Sequence, residues 1–150
     1  MARTRCGFND SPGTSGAELL VTFGPTLRVN IGFDPAFKPG NVPVPGLTDL
    51  PALVDTGASE SCIDSLLAAQ LNLPIIDRRQ VSGAHGSAEV NMHLAQVHVP
   101  TLNFTIYGAF AGVHLVAGGQ PHRALIGRTF LQNFTMVYEG RTGTVTLSND

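Results

Sequence analysis

Three apolar residues, Ala52, Leu53 and Val54, run directly into a carboxylate, Asp55, followed by Thr56 and the turn-former Gly57, in the stretch A-L-V-D-T-G-A-S. A strand that ends on an ionisable acid is costly to bury, because an isolated carboxylate surrenders its hydration. An acid kept in such a place has general acid–base chemistry to offer, provided that other groups make it tolerable there. Other reactive constellations are missing: the chain contains no G-x-S-x-G, H-E-x-x-H or G-x-x-x-x-G-K-[ST], so the signatures of serine hydrolases, zincins and P-loop enzymes drop out. His93 and His98 are five apart on an extended segment and so face opposite sides, and His85, His114 and His122 stand alone. All five read as surface or packed residues, and no metal or cofactor is expected. Cys6 and Cys62 fit neither zinc spacing nor a C-x-x-C pair and are expected as two reduced thiols.

The elements that must position Asp55 are mostly strands. Leu27, Val29, Ile31 and Phe33 alternate with polar residues as in a half-buried strand. A loop over 34–51 follows, whose Pro35, Pro39, Pro43, Pro45 and Pro51 argue against regular structure. After the Asp55 turn, Ile63, Leu66, Leu67 and Leu71 recur at helical spacing, with Ser61 placed to cap and Asp64 near the positive end of the dipole. The run Q-V-S-G-A-H-G-S-A-E-V predicts a hairpin with its tip at Gly83 to Gly86. Its second arm changes apolar phase near Ala95 and Gln96, which predicts a bulge there. Leu102, Phe104 and Ile106 alternate again as a strand. The buried run Ala124 to Gly127 leads into a short helix, R-T-F-L-Q-N-F, and the chain closes on a hairpin turning at 139–143.

Composition agrees with this turn-rich all-β reading: 43% of the 150 residues are hydrophobic and only 13% charged, with 17 Gly and 10 Pro. Residues 1–18 are polar and glycine-rich and read as a flexible tail, leaving 19–150 as one domain. A net charge of -2 carries no basic footprint, so no nucleic-acid partner is expected. No apolar run suits a membrane span or a signal peptide, which places the chain in the cytoplasm. No internal repeat is visible.

Two segments give the chain a family resemblance. A-L-V-D-T-G-A-S resembles the active-site motif of aspartic proteases, and A-L-I-G-R-T-F-L resembles the hydrophobic-hydrophobic-Gly motif before the C-terminal helix of their retroviral branch, the retropepsins. The glycine-tipped hairpin between them stands where that family has its flap. The resemblance implies an all-β closed barrel with two short helices, one lobe per chain. It implies that Asp55 is the catalytic acid, that Thr56 makes interlocking hydrogen bonds across a dyad, and that Gly57 supplies the amide that holds the carboxylates. Ala58 and Ser59, with Gly83, Ala84, His85 and Gly86 of the hairpin, would contact a polypeptide substrate. Gly127 would lie beneath the active-site loop and Arg128 would brace it, with Glu60 or Asp64 as its partner. Retroviral members carry an acid where this chain has Ser59, and they lack the tail and the proline-rich loop; cellular and bacterial relatives carry D-T-G-A-S more often.

This chemistry takes two carboxylates sharing one proton, one acting as base on water while the other donates to the carbonyl oxygen. With one D-T-G and no repeat, the second acid must come from another copy, so the reading is a homodimeric endopeptidase. Two alternatives stay open: a dimerisation or peptide-binding module whose chemistry has lapsed, and a monomeric barrel carrier in which Asp55 anchors a cation or amine.

Overall fold

The computed structural model describes residues 1–83 and 86–149. Its elements, in chain order, are β1 (Arg3–Arg5), α1 (Gly16–Phe23), β2 (Thr26–Gly32), β3 (Leu47–Val54), β4 (Cys62–Asp64), α2 (Ser65–Gln70), β5 (Ile75–Gly83), β6 (Gly86–Val99), β7 (Phe104–Val113), β8 (Ala124–Ile126), α3 (Arg128–Leu131), β9 (Thr135–Glu139) and β10 (Thr144–Ser148). Six strands in the order β2-β3-β8-β4-β7-β6 form a barrel, which closes where Ile31 of β2 pairs with Val97 of β6. Closure removes the free edges of those strands. β5 hangs on β6 outside the ring, and β1, β10 and β9 make a separate three-stranded sheet. The fold is therefore all-β, as the strand patterning implies.

The core forms where the inward positions of these strands meet. Leu27, Val29 and Ile31, the alternating set of β2, are buried against Ile63, Val97, Val99, Ile126 and Phe130. Val145 and Leu147 of β10 join the same cluster, so the small sheet covers the barrel rather than standing apart. Fully burying each such side chain is worth roughly 1.5–3 kcal/mol.

Several local expectations are revised. Residues 1–18 pair and pack: Arg3–Arg5 lie antiparallel to β10, Cys6 is 1% exposed, and Ser15 caps an unforeseen helix by accepting from the Glu18 N–H at 3.1 Å. Polarity misleads there because the segment contributes backbone pairing and a single deeply buried apolar residue, Cys6. Pro51 stands inside β3, not in the loop; its carbonyl accepts from the Arg123 N–H at 2.8 Å, and its missing donor falls just before the parallel pairing with β8 begins at Ala52. The helix expected from Ile63 starts at Ser65, because Cys62–Asp64 is taken up by β4 between β8 and β7. Its cap is Asp64, which accepts from the Leu67 N–H at 3.1 Å, and Ser61 serves elsewhere.

Nor is there a bulge at Ala95 and Gln96: β6 and β7 pair in unbroken register from Met92↔Ala111 to Val99↔Phe104. The apolar phase changes because this part of β6 is buried on both faces, and Gln96 reaches the proline-rich loop by accepting from the Asp34 N–H at 2.7 Å. Leu102 belongs to a 3-10 turn over Pro100–Leu102, not to a strand, and Asn103 then takes a left-handed φ of 46°. The predicted helix after Gly127 and the closing hairpin stand as expected.

Candidate active site

β3 delivers Asp55 to the rim of the barrel. The Asp55 N–H donates to the Ile126 carbonyl at 2.9 Å, tying the ends of β3 and β8 together just where both strands stop. Beyond it the chain turns through exposed Thr56 and Gly57. The Gly57 N–H donates to Asp55 Oδ1 at 2.9 Å, and the Ala58 N–H to the Asp55 carbonyl at 3.2 Å. The first of these bonds gives the acid a hydrogen-bond partner at the strand end.

The A-L-I-G-R segment is the other half of the platform. The Arg128 and Thr129 N–H groups donate to the Ala58 and Ser59 carbonyls at 2.8 and 3.0 Å, and the Gly127 N–H donates to Ser61 Oγ at 3.0 Å. A Cβ at Gly127 would lie 2.5 Å from the Glu60 carbonyl oxygen and 2.9 Å from that of Ala58, so only glycine permits the close approach. The Arg128 guanidinium donates through Nη1 to the Thr56 carbonyl at 2.7 Å. Glu60 and Asp64 are thus not its partners: Asp64 is fully buried, and the cation beside it is Arg123, with Nε 3.9 Å from Oδ2.

A cleft of about 640 Å³ opens beside Asp55. Ala58 and Ser59 lie on its near side, small apolar residues of β7 such as Ala109 and Ala111 form one wall, and Val81 and Ser82 of the hairpin form another. The hairpin arms stay paired to the end, Gly83 opposite Gly86; Ala84 and His85 lie outside the described residues. Sequence reasoning missed Cys62, which also lines the cleft. Burial pushes its thiol up to about 11, against a backbone hydrogen bond at Leu125 and with the Asp55 charge adding to the rise. Its place on β4 gave no spacing signal, and as a neutral thiol it acts as a small apolar wall.

The sequence and geometry meet in one comparison: the family model described as "gag-polyprotein putative aspartyl protease" matches residues 42–133. The chain belongs to this family. It is a retropepsin-like aspartyl protease domain by sequence and by its closed barrel. The matched span holds the Asp55 loop, the β5–β6 hairpin and the Gly127–Arg128 segment, and it leaves β1, α1, β2 and the β9–β10 hairpin outside. No curated protein sequence matches the chain. No helix among the described residues is long and apolar enough to cross a membrane.

Proposed function

We propose that the chain is an aspartic endopeptidase that works as a homodimer, with Asp55 of each copy forming the catalytic dyad. The observation that carries this reading is half of an acid–base site at a cleft: one carboxylate, held at Oδ1 by the Gly57 amide, on a loop whose Thr56 is exposed. Two like charges a few ångströms apart cannot both ionise, so two such loops facing each other retain one shared proton. One carboxylate then takes a proton from water as the other donates to the scissile carbonyl. Gly57 orients the acid, Thr56 meets its counterpart across the two-fold axis, and Gly127 and Arg128 support the loop from below.

The surface beside Asp55 favours a second copy as the partner. Leu131 and Met136 border an apolar recess with Thr56 and Arg128, and β9 next to it has strand pairing on its β10 side only among the described residues. A free edge flanked by an apolar recess suits symmetric pairing. In this reading the β5–β6 hairpin acts as a flap that covers an extended polypeptide, with Ala58, Ser59 and the tip residues Gly83, Ala84, His85 and Gly86 against the substrate.

Incubation with a denatured protein tests the proposal. Cleavage should vanish in Asp55→Asn, fall per chain on dilution through the dimer dissociation range, and be suppressed by excess Asp55→Asn chain through mixed dimers. Cleavage that survives Asp55→Asn, or activity per chain that is constant where sedimentation shows monomers, overturns it. Peptide binding without cleavage would instead establish a lapsed binding module.

A further inference from the structure

A second recess lies on the back of the hairpin, remote from Asp55 chemistry. It encloses about 430 Å³ between α2, the outer face of β5–β6 and the end of β7, within the size range of small-molecule sites. Its floor is His93, 6% exposed, whose ring lies over Gly112: a Cβ there would sit 3.0 Å from Nε2. The other ring nitrogen, Nδ1, is 3.2 Å from the Leu73 carbonyl oxygen. A carbonyl only accepts, so Nδ1 carries the proton, and Nε2 of the neutral ring is left as a bare lone pair. Among the described residues no donor reaches it. Nε2 opens on the recess, where a ligand's donor can reach it.

The surroundings narrow the occupant. Ala68 and Leu73 are buried apolar walls. At the rim Arg78 and Glu89 neutralise each other at 3.1 Å, and Ser65 and His114 satisfy each other at 2.7 Å. No unpaired carboxylate or guanidinium lines the recess to repay the desolvation of a charged ligand. We infer that this recess is a second binding site, for a neutral molecule or side chain with an apolar ring and one hydroxyl donor, such as a phenol, which donates to His93 Nε2. Because successive strand residues point to opposite faces, Met92 lines the Asp55 cleft while His93 floors this recess. A bound phenol therefore rests on the back of the strands that wall the cleft.

The test is titration of the isotopically labelled chain with p-cresol and with toluene, followed by the His93 ring nitrogen and the backbone amides. p-Cresol should shift Nε2 and the amides of Leu73 and Gly112, and it should bind about tenfold more tightly than toluene, the worth of one net hydrogen bond. Gly112→Ala, which puts a methyl in front of Nε2, should remove the preference for p-cresol. Ala69→Phe, at an exposed position on the rim of the recess, should weaken both ligands while leaving the fold intact, and it decides the matter if Gly112→Ala does not fold. Equal affinity for the two ligands, no shift at Nε2, or binding unchanged in Ala69→Phe overturns the inference.

Discussion

Arg128 grips the Asp55 loop twice, through its backbone N–H on the Ala58 carbonyl and through its guanidinium on the Thr56 carbonyl. The first contact survives any substitution that keeps the backbone in place; the second depends on a planar group reaching an exposed turn. Lysine carries the charge but not the fork, so Arg128→Lys frees the Thr56 peptide to reorient. Peptidase activity should fall by about tenfold or more, in keeping with the loss of one charge-assisted hydrogen bond. kcat/KM on one peptide, measured at fixed dimer content, checks this, and wild-type kinetics would make Arg128 an ordinary surface residue. Arg128 stood out in the sequence through the A-L-I-G-R motif. Its Thr56 partner did not, because sequence reasoning looks for a carboxylate and a backbone carbonyl leaves no mark in the residue types.

At the scale of elements, Asp64 does more than cap a helix. Oδ2 accepts from the Leu67 N–H, and Oδ1 accepts from the Leu115 and Val116 N–H groups at 3.2 and 3.0 Å. One buried carboxylate thus ties α2 to the turn after β7, with Arg123 alongside at the entry to β8. Asp64→Asn keeps the shape but sets an NH₂ group against amide donors. It should lower stability by about 2–4 kcal/mol, the range for breaking a buried charge-assisted network. Urea unfolding reads this as a lower midpoint at unchanged slope. The residue itself stood out in the sequence, yet its role did not. Ile63, Leu66, Leu67 and Leu71 keep helical spacing although Ile63 lies in a strand, since one apolar residue beside a helix satisfies either period. Pro51 misled in the opposite sense, because which flank of β3 lacks a neighbour is settled by where β8 begins.

At the scale of the whole molecule, barrel closure buries two histidines with little to compensate their charge. His98 is 7% exposed beside Thr105 Oγ1, and His122 is 3% exposed beside Thr26 Oγ1. Burial holds both below the usual 6.5, offset in His122 by a backbone contact at Phe23. Unfolded, each takes up a proton near 6.5; folded, each does so only at lower pH. The unfolded chain therefore binds more protons between those values, and stability rises with pH across that window. The histidine contribution is complete above about pH 6.5 and is lost as the pH falls through the folded-state values, by up to ~1.4 kcal/mol per pH unit per group. Thermal unfolding from pH 7.5 to 5, compared with the double variant His98→Gln and His122→Gln, should show a shallower acid decline in the variant. Equal slopes would assign that decline to carboxylates alone.

By itself the sequence determined the chemistry-bearing stretches and the class of fold. D-T-G after an apolar run and A-L-I-G-R before a short helix are local patterns, and alternation with frequent turn residues marks strands wherever one face is buried. Tertiary structure alone decided what depends on residues far apart in the chain. The ring closes through Ile31 against Val97, the polar segment Arg3–Arg5 is held by β10, and β6 loses its alternation because both of its faces are covered. The phase break at Ala95 and Gln96 is the clearest case: a bulge and burial on two sides write the same residues, and only the neighbouring strands and loop distinguish them.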